Sequence, residues 1–343
     1  MSTYPPLRSL LTTTFLLSLC SPPSAFAAII VTYPAGTLLE NVAVAPSGDL
    51  YVTALDSGSV FRVTPSGTSQ LFGQVPGPAA GIALDSDGTP VVASGTSLYR
   101  LAPNGIASLA SDVPGSLFLN GIALFSPGVF LAADDTANTI WRVDLAGSSS
   151  QAWSTDPLLV PGPAGAPFSP NGIKLFQGAV YVSNTGSGTI VRIPILPNGL
   201  AGTAEIYLSS IFVDDFAFGT DGTLFAATQF GEIIRVAPDG TRTSLPTGTL
   251  GDAAVAFGRT AADRQSIYAV NNGGAFLGLP GGPEEASVVR LDVGIDGVVP
   301  EEQAIPEPSS LVLSVAGIVG LFLVLRKKHY LKGRSTKLVP AKT

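Results

Sequence analysis

The chain has 343 residues, room for about two average domains or one large one, and 45% of it is hydrophobic, which excludes disorder as its main state. Only 13% is charged while 39 Gly and 28 Pro punctuate it, a profile of short strands and tight turns that excludes an α-helical bundle. Between Ala28 and Ile305 ten basic residues face twenty-four acidic ones, about −14 in charge, so the body should repel nucleic acid and anionic lipid. The sole cysteine, Cys20, and the sole histidine, His329, lie outside that body, which excludes disulfides, thiolate chemistry, His-ligated zinc and a Ser-His-Asp triad within it.

Residues 1–27 carry Arg8, an apolar stretch from Leu10 to Leu19 and then Ser-Pro-Pro-Ser-Ala25-Phe26-Ala27, the layout of a signal peptide cut after Ala27. Lipoprotein processing at Cys20 is the rival, but Leu19 stands where that pathway needs a small residue.

From 28 to 300 the sequence repeats. Glu40-Asn-Val-Ala-Val-Ala-Pro-Ser-Gly48 recurs as Ala80-Gly-Ile-Ala-Leu, Asn120-Gly-Ile-Ala-Leu, Asn171-Gly-Ile-Lys-Leu, Asp214-Asp-Phe-Ala-Phe and Ala253-Ala-Val-Ala-Phe, six copies in all. Each continues with a second apolar strand and a third that ends in an arginine, namely Arg62, Arg100, Arg142, Arg192, Arg235 and Arg290. Their steps of 38, 42, 50, 43 and 55 residues match one four-stranded propeller blade. Pro-x-Gly turns such as Pro65-Ser66-Gly67 then lead to a fourth, outer strand. The first blade is preceded by a lone strand, Ile29 to Tyr33, and the last lacks an outer strand after Asp292. The reading is an all-β, six-bladed β-propeller closed by its N-terminal strand, with a β-sandwich as the alternative. The arginines are expected to be structural, bridging carbonyls or acids between blades.

Beyond the ring, 301–310 forms a linker holding Pro306-Glu307-Pro308, and 311–325 is an uncharged apolar run, extended by Ser309 and Ser310, that reads as a short transmembrane helix. Arg326-Lys327-Lys328 opens a basic tail, 326–343, expected to be cytoplasmic by the positive-inside rule. Pro-Glu-Pro, an apolar helix and a basic cluster in this order resemble the PEP-CTERM sorting signal of Gram-negative bacteria. That resemblance implies recognition by an exosortase-type sorting protease, after signal peptidase has acted at the other end. The chain would cross the inner membrane, be held there by the helix, and reach the cell surface or the extracellular space after sorting. The fifteen residues that follow Lys328 depart from the usual short ending of such signals.

In a propeller the first strand of each blade lines the central channel, and the residues that open those strands converge at one mouth. Here they are Glu40, Ala80, Asn120, Asn171, Asp214 and Ala253. One Glu, one Asp and two Asn make a hard-oxygen set suited to Ca²⁺ or another divalent ion completed by water. The alternative is that Asn-Gly and Asp-Asp simply start strands through Asx turns.

The repeats are generic to NHL-type propellers, but the Glu-Asn-Asn-Asp pattern resembles the gluconolactonase family, also called the senescence marker protein or regucalcin family, over about Ile29 to Val299. Paraoxonase-like and strictosidine synthase-like propellers are related. The resemblance implies that Glu40, Asn171 and Asp214 hold a divalent metal with Asn120 near it, and that a lactone or ester is hydrolysed. Asp214 is then the candidate catalytic carboxylate and Asp215 the second choice. Sugar-lactone members carry an Arg two residues before the third-blade Asn, where this chain has Phe118, and the histidine of paraoxonase-like and streptogramin lyase-like members has no counterpart in the body. An apolar wall of Phe118, Phe168 and Phe216 would suit a hydrophobic ester or lactone, unless those rings pack between blades. The competing functional reading is a monomeric, non-enzymatic propeller that binds a carbohydrate, peptide or matrix partner.

Overall fold

Each sequence repeat folds into one antiparallel sheet of four strands, and six such sheets stand around a central channel. The computed structural model describes residues 27–162 and 168–305. The innermost strands are Leu39–Val44, Ile82–Leu84, Leu119–Ser126, Ile173–Phe176, Phe216–Phe218 and Asp252–Phe257, each followed outward by its second, third and fourth strands. The sixth sheet takes its outer strand from the other end of the chain: Ala27–Tyr33 pairs antiparallel with Ala286–Asp292, Ala28 opposite Arg290 and Tyr33 opposite Ala286. Closure by the N-terminal strand, expected from the unmatched ends of the repeat, is therefore the observed topology. It supplies the outer strand that Ala286–Asp292 would otherwise lack, and so joins the first blade's chain end to the last blade.

Alternation along each strand sends aliphatic side chains to both faces of each blade, so every seam between neighbours becomes a small core. The seam that closes the ring packs Leu39, Val42 and Val52 of blade one against Tyr268, Val270 and Val288 of blade six. Burying a side chain of this size contributes about 1.5–3 kcal/mol, so a seam holding ten of them is a principal source of stability.

The glycine that follows the opening residue in blades two to four has a packing cause. Gly81 N donates to Asn120 O at 3.1 Å and Gly172 N to Asp214 O at 3.2 Å, so neighbouring inner strands touch backbone to backbone. A Cβ on Gly81 would stand 2.3 Å from Asn120 O, and one on Gly172 2.4 Å from Asp215 Oδ1. Three positions beyond the opener, Ala43, Ala83, Ala123, Ala217 and Ala256 line a cavity of about 120 Å³ within the channel; the sixth equivalent is Lys174.

The repeat arginines behave differently from expectation. Arg62 pairs with Asp49, Arg100 with Asp85, Arg192 with Glu205 and Arg290 with Asp292, each partner lying in the arginine's own blade rather than the next. A third-strand residue at this height faces the lower part of its own sheet, and that is where these acids stand. Arg142 lies over the Phe125 ring, 5.8 Å from its centroid, also within one blade.

Residues 294–305, partly assigned to a linker in the sequence reading, run across the lower end of the channel. Gly297 bridges Gly219, Val298 N donates to Phe218 O, and the short helix Pro300–Gln303 ends with Ile305 N donating to Phe125 O at 2.6 Å. Arg259 Nη1 meets Glu301 Oε1 at 2.9 Å beneath the cavity. Among the described residues no helix is long and apolar enough to cross a membrane. The proposed signal peptide to Phe26, the Pro306-Glu307-Pro308 motif, the 311–325 span and Arg326-Lys327-Lys328 lie outside the described residues.

Candidate metal centre

Because the six inner strands run in the same sense from mouth to lower end, their opening residues share one level. Glu40, Asn120 and Asn171 are each 7% exposed, whereas Leu39 and Leu119 just before them are fully buried. Alternation explains the difference, since the opener points to the channel and its predecessor into the blade.

The four sequence-predicted donors come together. Asn171 Nδ2 donates to Asp214 Oδ1 at 2.7 Å. Asn120 hydrogen-bonds to Glu40, and Glu40 feels the negative charges of Asp214, Asp135 and Asp215. Ala80 and Ala253 complete the ring without a donor.

A second set of polar side chains stands behind the openers, at the end of the second strand of each blade. Asp135, Thr185, Gln229 and Asn272 occupy this place in blades three to six. Gln229 Nε2 donates to Asp214 Oδ2 at 2.7 Å, Asn120 Nδ2 to Asp135 Oδ2 at 3.4 Å, and Asn171 Nδ2 to Thr185 Oγ1 at 3.3 Å. Sequence reasoning missed this set because its residue types differ from blade to blade. The signal was positional: Asp135, Thr185 and Gln229 follow their openers by 15, 14 and 15 residues.

Three carboxylates are thus gathered at the mouth, and among the described residues none of Glu40, Asp135 and Asp214 forms an ion pair. Burial pushes the Glu40 carboxyl well above its ordinary value, helped by Asp214 and Asp135. Asp214 is pushed up to about 7, mainly by burial and further by Asp215, against the hydrogen bonds from Gln229 and Asn171 that favour its ionised form. Burial also raises Asp135. Asp215 differs: its Oδ1 lies 2.5 Å from Lys174 Nζ, so its charge is already matched just below the mouth.

The donor set fits a hard divalent cation. Unmatched acids packed together repel one another in a poorly hydrated place, and one dication would offset that repulsion. Among the described residues no three His, Cys, Asp or Glu side chains gather closely enough to hold an ion by themselves, so the amide oxygens of Asn120 and Asn171 are required. Of the aromatic residues expected as a wall, Phe216 is instead fully buried in the seam between blades four and five, Phe118 is half-buried at the rim, and Phe168 is 50% exposed.

No protein-family model and no curated protein matches the sequence. Solved structures do match. A calcium-binding protein, regucalcin, from Agrobacterium tumefaciens is 18% identical, with 79% of this chain and 95% of that one covered at a TM-score of 0.62. A gluconolactonase from Xanthomonas campestris is likewise 18% identical, over 79% of this chain and 90% of that one, at 0.63. A luciferin-regenerating enzyme is 14% identical over 82% and 100%, at 0.65. What this chain shares with gluconolactonase- and regucalcin-type proteins, at such identities, is the six-bladed propeller fold.

Proposed function

We propose that the mouth binds one divalent cation, calcium in type, through Glu40, Asn120, Asn171 and Asp214, and that the protein hydrolyses a lactone or ester there. The observation that carries this reading is the cluster of carboxylates without ion pairs, Glu40 and Asp135 buried and Asp214 half-buried, joined by amides at one end of a channel whose fold is that of a calcium-binding regucalcin and a gluconolactonase. When bound, the ion would polarise the carbonyl and make a water more acidic.

The chain's own residues supply the rest. A half turn of each carboxamide would bring the Asn120 and Asn171 oxygens toward the ion. Gln229 holds the Asp214 carboxylate in place through Oδ2. So held, Asp214 would take a proton from water as the water oxygen joins the carbonyl carbon. The proton then passes to the departing alkoxide oxygen as the carbon–oxygen bond breaks, giving a hydroxy acid from a lactone. Asp215, held by Lys174, has less freedom for this role, which favours Asp214 over it.

Calorimetric titration of the purified 28–305 body with Ca²⁺ should give one site, lost in Glu40→Ala and in Asp214→Ala, and a panel of lactones and aryl esters should then be hydrolysed in a chelator-sensitive way. Absence of binding by the wild type would remove the hydrolase reading and favour a binding propeller. We also propose, from the terminal sequences alone, that the protein is exported and sorted to the surface. Loss of C-terminal processing on replacing Pro306-Glu307-Pro308 by alanines would test this.

A further inference from the structure

The loops around the mouth combine a lack of basic residues with exposed apolar side chains. Segments 34–38, 113–118, 210–213, 228–231, 247–251 and 272–278 contain no Lys or Arg. They do present large apolar side chains to solvent: Leu117 is 60% exposed, Phe230 58% and Phe276 57%. One pleat above the openers, Leu38, Pro78, Phe118 and Phe212 are half-buried. A polar floor therefore lies beneath an apolar rim.

Beside Asp214 the rim carries two aromatic rings. Phe212 precedes Asp214 by two residues, and Phe230 directly follows Gln229, whose amide nitrogen is 2.7 Å from Asp214 Oδ2. The two rings pack together at 5.6 Å between centroids, tilted by 58°. Across the mouth the Leu117–Phe118 backbone is fixed, since both amides donate to the buried Asp134 carboxylate, at 2.8 and 3.1 Å.

From this geometry we infer that the ligand of the mouth is a neutral lactone or ester carrying an apolar substituent, and that the Phe212–Phe230 pair determines that preference. The inference rests on the hydrolytic reading of the same site. An anionic or phosphorylated substrate would meet the charges of Glu40, Asp135 and Asp214, and the cation that touches these loops, Arg242, is already bonded to the Ser209 and Ser210 carbonyls. A polyol would have to desolvate its hydroxyls against Phe and Leu, at a cost those side chains cannot offset. An alkyl or aryl group gains by covering the pair.

The test separates recognition from chemistry by using carbon analogues that cannot be hydrolysed. Binding of 2-pentylcyclopentanone and of plain cyclopentanone to the Ca²⁺-loaded body is measured by calorimetry, and hydrolysis of a pentyl-substituted lactone and of gluconolactone is measured alongside. The pentyl ketone should bind roughly 30-fold more tightly, the value for half-burial of a five-carbon chain. Phe212→Ala and Phe230→Ala should each reduce that ratio at least threefold, and the double variant should bring it below twofold. Equal binding of the two ketones, binding of neither, or a ratio untouched by both substitutions overturns the inference. So does faster turnover of gluconolactone than of the pentyl lactone, an outcome that leaves the hydrolase reading standing. A normal ketone ratio with no lactone or ester turned over does the reverse: the recognition of apolar ligands by Phe212 and Phe230 holds and the hydrolytic step falls.

Discussion

The two ends of the channel treat carboxylates in opposite ways. At the lower end four acids have a basic partner, Asp49 with Arg62 and Asp85 with Arg100 at 2.5 Å, Glu301 with Arg259 at 2.9 Å and Asp296 with Arg264 at 3.3 Å, while the buried Asp263 is held by Thr260 and Tyr268. At the mouth Glu40, Asp135 and Asp214 meet amides and one another, and nearby Asp252 is fully buried with Oδ1 unbonded and Oδ2 held only by Thr247. Ordinary packing would remove such acids or match them, as the lower end does with arginines for four acids and with two hydroxyls for Asp263. Retaining them unpaired costs stability, and that cost is the physical ground for placing the proposed site at the mouth.

The largest consequence concerns pH. Asp252 and Asp214 are both raised to about 7, chiefly by burial, so in chelator the native state binds more protons than the unfolded chain between their unfolded and folded values. Stability should be greatest near pH 4 and fall as pH rises to about 7, by on the order of 3 kcal/mol for Asp252 alone. Urea unfolding at several pH values would reveal the slope, and Asp252→Asn should flatten it. A profile that instead rises over this interval would erase the contrast between the ends.

Disturbing the lower end should act only on stability. A Cβ on Gly297 would stand 2.2 Å from Phe257 Cβ, so Gly297→Val should destabilise by about 3 kcal/mol through overpacking. Arg259→Met leaves Glu301 without its partner and should cost about 2 kcal/mol, part of it regained by adding Glu301→Gln. Calcium affinity, measured on the folded fraction of either variant, should stay within twofold of the wild type.

The smallest effect has the opposite sign. Glu40→Gln removes a buried charge that has only Asn120 as a favourable neighbour, and should stabilise the chelated protein by about 1 kcal/mol at pH 8 while weakening calcium binding at least tenfold. Thermal unfolding with and without Ca²⁺ reads both changes at once.

Much of this was legible in the residues. Six copies of one short motif gave the blades, and the unmatched Ile29–Tyr33 strand gave the closure, because strand alternation and blade length are local properties. The openers were legible too, since the fold brings equivalent positions to one level. Gln229 and Asp135 were not, because their importance depends on which opener each can reach, and that is settled by packing between loops. Nor did any motif mark Pro300–Gln303 as a plug. Its place depends on Arg259 and on backbone contacts made by Val298 and Ile305, none of which has a local signature.

The shared sixth blade also sets an order of events during synthesis. Ala27–Tyr33 is the first strand made, yet its partner Ala286–Asp292 is the last strand made. Five blades can form in sequence as the chain emerges, but the earliest strand waits through about 250 further residues with an open hydrogen-bonding edge. Any chain ending before Ala286 has no partner to give it, so a prematurely terminated product cannot pass for the finished protein: it keeps an exposed strand edge, which is a signal that quality-control proteases and chaperones can act on.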